Sequence, residues 1–409
     1  MNHPELLAPA GDMECVRAAL RFGADAVYVG GPWLQLRAGS AGFSMEALSE
    51  AVREVHGAER KLYVTVNAFP TNRELDALSD YAQALEALGA DAAIVADMGA
   101  VAVMRRAAPG LPIHVSTQAN CQNYAAARVW HELGASRVVL GREMTLAQIR
   151  ELRERVPREL ELEAFVHGAM CMAWSGRCMI SAYLTGRSAN RGACTQSCRW
   201  TYHLMEEKRP GEFFPVEEDG TGTTILSSHD LNCLDFLDAL IDAGVASFKI
   251  EGRMKSPYYV ATVTNAYRRR IDSLARGTAT PAETALLQRE LNAVSHRPYA
   301  SGFYFGEIKR HAPEDGVYLQ DCVFAAVVVQ RLSGGRVRAQ LRNRVAEGDA
   351  LEVLSPSSIG LSFPARNLTD ATGAPIACAA VPMMLFDMDA PDTLAPGDML
   401  RMRVRSDNS

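Results

Sequence analysis

The sequence predicts an α/β chain: a (β/α)8 TIM-type barrel with a long Cys-rich insertion, plus a small C-terminal antiparallel β-barrel. Three observations lead there. A short phrase recurs through the first 250 residues, eight β-rich runs alternate with helix-like text, and beyond residue 320 the chain turns to short β-runs and turns.

The recurring phrase is Phe22-Gly-Ala-Asp-Ala-Val-Tyr-Val-Gly30, which returns at Leu88–Ala96, at Leu133–Gly141 and more loosely at Ala243–Glu251. Each copy follows a helical stretch. Its Gly suits the left-handed position that stops a helix, and the apolar run after it suits a buried parallel strand. Strand, helix and Gly-stopped return to strand make a βαβ unit. The β-runs are Leu6–Ala10, Ala26–Gly30, Leu62–Asn67, Ala92–Asp97, Ile113–Asn120, Arg137–Glu143, Leu160–Gly168 and Ser247–Arg253. Eight is the number that closes a barrel. A doubly wound open sheet competes, but Gly11-Asp12-Met13 after the first run is not the Gly-rich phosphate turn expected of it.

Polar residues gather where the runs end: Asn67, Asp97, Gln118, Asn120, Glu143, His167, Glu251 and Arg253. In a barrel of this type the C-terminal strand ends form the active-site face, although any one such residue can be a helix N-cap. Between the seventh and eighth runs lies an insertion, 169–246, much longer than an ordinary loop. Its stretch Lys208–Thr224 reads as a hairpin or loop. Asn265–Gly277 reads as a basic helix, and the runs Val323–Gln330, Arg336–Arg344, Ala350–Val353 and Asp398–Val404 read as the small barrel. The domains are thus 1–310, with the insertion, and 320–405.

The 409 residues are 48% hydrophobic, with a formal net charge of −6. That balance argues against a protein that coats nucleic acid through its whole surface, while leaving room for a local basic face. The N-terminus has no basic stretch followed by an apolar one, and no run of 18 apolar residues could span a bilayer, so a cytoplasmic protein without a membrane partner is expected.

Five of the nine cysteines, Cys171, Cys178, Cys194, Cys198 and Cys233, fall within 63 residues. An odd total in a cytoplasmic chain does not suggest a disulfide framework. Thiolates suit zinc or an iron–sulfur centre. Only Cys194 and Cys198 could form a short knuckle of the zinc-finger kind, which tilts the reading toward iron–sulfur. Buried free thiols are the plainer alternative, and five thiols leave open which four would bind.

His167 ends the seventh run just ahead of Cys171 and is a candidate acid/base, with a structural histidine as the alternative. Glu163 lies four residues earlier and by period two should face the same side of the sheet. Lys249, Glu251 and Arg253 share one face of the last run. Arg253 and Lys255 are candidates to bind a carboxylate, Glu251 to move a proton. Arg336, Arg338, Arg342 and Arg344 alternate along one strand, as do Arg401, Arg403 and Arg405. With Arg268, Arg269 and Arg270 they could form a phosphate-binding surface, or simply a solvated charged face.

Glu163–Ser181 resembles the signature of the collagenase-like peptidase family of unknown catalytic type, E-x-F-x-x-G-[SA]-hydrophobic-C-x4-G-x-C-x-hydrophobic-S. Glu5-Leu-Leu-Ala-Pro-Ala-Gly11 and Phe248-Lys-Ile-Glu-Gly-Arg-Met-Lys255 also look like family hallmarks, and the terminal β-domain is similar to one often attached to it. The resemblance implies oxygen-independent hydroxylation, in tRNA or ribosomal RNA modification or in ubiquinone synthesis. It implies a [4Fe-4S] cluster on four cysteines, best matched by Cys171, Cys178, Cys194 and Cys233 with Cys198 in reserve, and hence dependence on iron–sulfur assembly machinery. Length and the terminal domain liken the chain to members that make 5-hydroxyuridine at the tRNA wobble position with prephenate as oxygen-donor metabolite. On that reading Arg253 and Lys255 hold the prephenate carboxylates, while Arg338, Arg342 and the basic helix hold tRNA. A peptidase would want H-E-x-x-H or G-x-S-x-G, and neither occurs in the sequence. A cluster-bearing accessory protein is the third possibility.

Overall fold

The computed structural model describes residues 3–36, 42–170, 176, 178–197, 218–219, 222–223, 229–306 and 318–404. All eight expected barrel strands are present: β1 (Glu5–Pro9), β2 (Ala26–Gly30), β3 (Lys61–Val66), β4 (Ala92–Val95), β5 (Ile113–Val115), β6 (Ala135–Val139), β7 (Glu161–Ala169) and, after the insertion, β9 (Ser247–Ile250). Neighbours pair in parallel, and β9 bonds to both β1 and β7, which closes the ring. Every residue of β2 is buried, as expected of a parallel strand covered on one side by helices and on the other by the barrel interior.

The helices between strands begin where short polar side chains can accept from the first free N–H groups. Asp12 caps α1 (Met13–Arg21), Ser44 caps α2 (Met45–Gly57) and Asp97 caps α4 (Met98–Ala107). Thr71 with Glu74 opens α3 (Asn72–Leu88), and Thr145 with Gln148 opens α6 (Leu146–Arg155), both as capping boxes. Asn123 caps α5 (Tyr124–Glu132). The eighth barrel helix differs from expectation. It is one element, α9 (Pro257–Arg276), begun by Ser256 and Pro257 at the positions that favour them, so the basic stretch from Asn265 is only its second half. It is followed by α10 (Pro281–Leu291).

The insertion rejoins the barrel through β8 (Asp230–Asn232), which runs antiparallel to β7 with Asn232 opposite His167. A short helix, α8 (Leu237–Asp242), then leads into β9. The earlier part carries α7 (Ile180–Thr185). Within the expected hairpin, Glu218–Asp219 pairs antiparallel with Gly222–Thr223. Cys171 and Cys198 lie outside the described residues.

The C-terminal region is an antiparallel half-barrel: β10 (Cys322–Leu332), β11 (Arg336–Leu341), β12 (Ala350–Leu354), β13 (Ser362–Pro364), β14 (Thr369–Asp370), β15 (Leu385–Asp389) and β16 (Met399–Arg403), ordered β13-β12-β16-β10-β11-β15-β14. It has its own core around Phe386, Met388, Leu351 and Val337. It is anchored to the barrel by Arg21 on Asp398 (2.5 Å), by Arg401 on Glu290 of α10 (2.6 Å) and by Arg342 on Glu14.

One irregularity governs the active-site face. Along β7 and β9 the partners are Glu163 with Ser247 and Phe165 with Lys249, then His167 with Ile250, so Val166 is an extra residue in β7. Such a bulge reverses which side of the sheet the following residues face. Glu163 and Phe165 point into the barrel. His167 points outward, onto Tyr267 of α9. The expectation that Glu163 and His167 share a side is corrected by that single residue.

Candidate active site at the barrel mouth

The barrel interior is apolar only in a thin layer, Leu7, Ala26, Tyr28, Tyr63, Ala92 and Ile94. Toward the N-terminal end the interior holds a buried ion network. Arg137 contacts Glu5 (2.5 Å), Glu161 (2.6 Å) and Glu163 (3.1 Å). Tyr63 donates to Glu5 at 2.6 Å, and Ser247 donates to Glu5 at 3.0 Å. Burial works against the Glu5 carboxylate, yet Arg137, Tyr63 and Ser247 together hold its pKa below the ordinary value. Glu163, fully buried, reaches upward to Lys249 at 2.8 Å.

Above Lys249 a cavity of about 80 Å³ opens at the C-terminal strand ends, the face where barrels of this type build their sites. Tyr28, Thr65, Asn67, Gln118 and Phe165 contribute to its wall, and its charged lining among the described residues is Arg142, Lys249, Arg253 and Glu251. Arg253 donates to Gln35 Oε1 and Thr65 Oγ1, both at 2.9 Å. Arg142 donates to the Ala169 carbonyl at 3.0 Å, lies 3.4 Å from Glu251 and stacks 3.9 Å from the Phe165 ring. The buried Asn67 Oδ1 has no hydrogen-bond partner among the described residues. Such a wall suits an anionic ligand that also carries a hydroxyl.

Gly30, at the end of β2, makes this geometry possible. A Cβ there would stand 2.1 Å from Gln35 Oε1 and 2.7 Å from Arg253 Nη1. The missing side chain is what lets the glutamine and the arginine meet.

The part of the insertion around α7 packs onto the rim. A Cβ on Gly176 would fall 2.0 Å from the Gln118 carbonyl, so this contact needs glycine as well. Phe69 donates its N–H to the Asn190 carbonyl at 3.2 Å, and Arg191 bonds the Phe69 carbonyl at 2.7 Å and Glu74 at 3.1 Å. This lobe holds Cys178 and Cys194, both half-buried. Asn190 bonds the Cys178 carbonyl at 3.1 Å, and the Gln196 N–H points at Cys194 Sγ at 3.4 Å, the kind of donor that steadies a thiolate. Cys233 lies elsewhere. Its N–H donates to the Val166 carbonyl and to Tyr267, its side chain is fully buried in the apolar layer, and burial pushes its thiol well above the ordinary value. Among the described residues no three His, Cys, Asp or Glu side chains converge as a metal site. Soft thiol donors with an N–H toward sulfur fit a cluster at Cys178 and Cys194.

Of the other candidates, Glu251 and Arg253 line the cavity and Glu163 lies beneath it, whereas Lys255 and His167 face away. Lys255 donates to the Ser295 carbonyl at 3.1 Å. His167 sits among Tyr259, Tyr267 and Tyr299, and burial with help from His296 and Lys255 pulls its pKa down to about 3. Asp97 serves as a cap. Arg142 and Gln35 are the contributors that sequence reading missed. Arg142 ends the sixth β-run beside Glu143, and the same rim rule would have admitted it.

Much of the expected phosphate surface is engaged in internal pairing, while Arg344 is exposed and Arg405 lies outside the described residues. Arg338 holds Asp387 through two bonds of 2.8 and 3.0 Å, and Arg336 lies 3.6 Å from Asp389. Arg401 is buried on Glu290 and Glu352, and Arg403 sits on Glu352. Arg268 pairs with Asp25 and Asp272, Arg269 bonds the Pro356 carbonyl, and the buried Arg270 bonds the Leu234 carbonyl. Carboxylates remote in sequence neutralise what looks like a basic strand.

Residues 11–313 match the family described as Peptidase family U32, and residues 320–401 match its C-terminal domain. The chain belongs to this family. It is 35% identical over 91% of its length to tRNA hydroxylation protein P of Escherichia coli, covering 90% of that protein. It is equally 35% identical over 97% of its length to tRNA hydroxylation protein P1 of Bacillus subtilis, covering 94%. A 23S rRNA 5-hydroxycytidine C2501 synthase of E. coli is 39% identical over 66% of this chain and 39% of its own length. Among the described residues no helix is long and apolar enough to cross a membrane.

Proposed function

We propose that this family member takes part in tRNA hydroxylation as the enzyme, making 5-hydroxyuridine at the wobble position without molecular oxygen, with prephenate as co-substrate. The observation that carries the reading is the cavity, where among the described residues two guanidinium groups and an ammonium face one carboxylate. A ligand carboxylate would be met by donors of Arg253 and Arg142 on two sides of the cavity. Arg142 takes the role first expected of Lys255.

An iron–sulfur cluster would be held by Cys171, Cys178, Cys194 and Cys233, with Cys198 in reserve. When bound it would supply Lewis-acid or one-electron chemistry. The chain's own residues bind and orient the carboxylate, and Glu251 stands ready to accept or return a proton. For tRNA, the lobe offers Tyr183 of α7, 88% exposed beside the exposed Met179, as a surface on which a base can stack. The family's peptidase title finds no counterpart here, since neither a zinc-binding helix motif nor a serine elbow is present in the sequence.

Nucleoside mass spectrometry of tRNA from a deletion strain tests the reading. Loss of 5-hydroxyuridine derivatives, restored by the wild-type gene and not by an Arg253→Ala variant, is the expected result. Unchanged modification in the deletion strain would overturn it.

A further inference from the structure

The placement of Lys249 asks for an explanation beyond charge balance. Its side chain rises from the eighth barrel strand into the floor of the cavity, with the amine 4.4 Å from the Tyr28 ring centre and 5.6 Å from that of Phe165. Each ring also carries a guanidinium, Arg253 at 6.0 Å from Tyr28 and Arg142 at 3.9 Å from Phe165. Glu163 is held from two sides: Arg137, which also contacts Glu5 and Glu161, bonds its Oε2 at 3.1 Å. Lys249 uses the other oxygen, Oε1, at 2.8 Å. The arrangement therefore gives a primary amine in an apolar ring-lined floor, a carboxylate beneath it able to take its proton, and cations on either side able to hold carboxylates.

We propose that Lys249 forms a Schiff base with the carbonyl of a 2-keto carboxylate bound between Arg142 and Arg253. The inference rests on the reading of the cavity as a carboxylate site and adds the substrate's second functional group and a covalent step. Glu163 takes one proton from the ammonium. The freed amine attacks the carbonyl carbon, forming the C–N bond, and the carbonyl π bond breaks as its oxygen takes a proton from the attacking nitrogen to become a hydroxyl. That hydroxyl takes back the proton held by Glu163 and leaves as water, its C–O bond breaking as the nitrogen lone pair forms the C=N bond. No oxidant or reductant is consumed, and hydrolysis reverses the sequence with the same groups. The protonated imine keeps the positive charge of the lysine. The ion network of Glu163, Arg137 and Glu5 is thus left in balance, and Glu163 Oε1 passes from pairing an ammonium to pairing an iminium. An iminium draws electrons from the neighbouring carbons, which is the activation a keto acid needs before a bond beside its carbonyl is made or broken. Burial among the rings also pulls the amine below its ordinary pKa, against the opposing pull of Glu163, a shift in the direction an attacking lysine requires.

The test is hydride trapping on the full-length protein purified without oxygen. Pyruvate and phenylpyruvate serve as probes, with sodium cyanoborohydride as reductant, and peptide mass spectrometry locates the adduct. Thermal denaturation with each probe and with prephenate is measured in parallel. The expected result is a reduced adduct on Lys249, rising with probe concentration and absent from Lys249→Arg, a variant that retains the cation opposite Glu163. A probe that raises the melting temperature but gives no adduct, or an adduct only on other lysines, overturns the covalent step and leaves the carboxylate reading standing. No thermal effect and no adduct with any of the three acids overturns both.

Discussion

Two arginine-rich regions of this molecule look alike in sequence and differ in what their guanidinium groups face. Among the described residues at the barrel mouth, Arg142 and Arg253 bond neutral acceptors, Arg142 also meets Glu251, and both line a cavity. In the half-barrel Arg338, Arg342, Arg401 and Arg403 are each committed to a carboxylate. A guanidinium spent on a carboxylate between elements is a fastener, whereas Arg142 and Arg253 add donors to the wall of a cavity. The difference lies in the partner, and the partner is usually far away in the chain.

The largest effect expected from this contrast is on stability. Arg401→Met strands Glu290 in the seam between barrel and half-barrel. It should cost about 3–5 kcal/mol in chemical denaturation, against at most about 1 kcal/mol for Arg403→Met at the exposed end of the same strand. Equal losses would mean that the buried pair is not the fastener. Next comes Gly30→Ala, which crowds Gln35 and Arg253 without touching the apolar core. Displacing the guanidinium by about 1 Å should lower tRNA hydroxylation about 100-fold while the melting temperature stays near wild type. Full activity in that variant would remove Arg253 from the site.

The contrast extends to the two sides of β7. His167 is buried neutral with its pKa depressed to about 3, while in the unfolded chain it titrates near 6.5. Its folded pKa is the lower one, so its contribution is fully present above pH 6.5 and is lost as pH falls from 6.5 toward 3. Over that window the unfolded chain binds the extra proton, and stability should fall by up to about 1.4 kcal/mol per pH unit from this residue. His167→Gln should flatten the acid limb of the denaturation profile and leave hydroxylation at neutral pH largely intact. A bell-shaped activity profile that vanished in this variant would restore His167 as an acid/base. The smallest effect is expected from Arg338→Ala combined with Arg342→Ala. The salt dependence of tRNA binding should scarcely change, because both side chains are already neutralised, whereas Tyr183→Ala should weaken binding by about 1–3 kcal/mol.

Much of the fold was legible because its signals are local and repeated. The Gly-stopped phrases announced the buried strands after Phe22, Leu88 and Leu133, and the eight β-runs all form barrel strands. Glu251 and Arg253 were legible as residues of the barrel mouth by their place at a strand end. What escaped was non-local or one residue wide. Nothing near Arg338 or Arg342 in the sequence announces Asp387 or Glu14. Period-two counting along β7 cannot see an unpaired Val166, and so it put His167 on the wrong side. Nor does cysteine spacing reveal that Cys233 follows a strand running antiparallel to β7, with its N–H on Tyr267.

The extra residue in β7 also makes this strand a phase switch for protein engineering and for divergence. Deleting Val166 would advance everything after it by one position, turning His167 toward the barrel interior and exchanging the sides that Gly168 and Ala169 face. A relative could thereby trade an aromatic-packed histidine for an interior one, changing its chemistry by the loss of a single codon with no catalytic residue replaced.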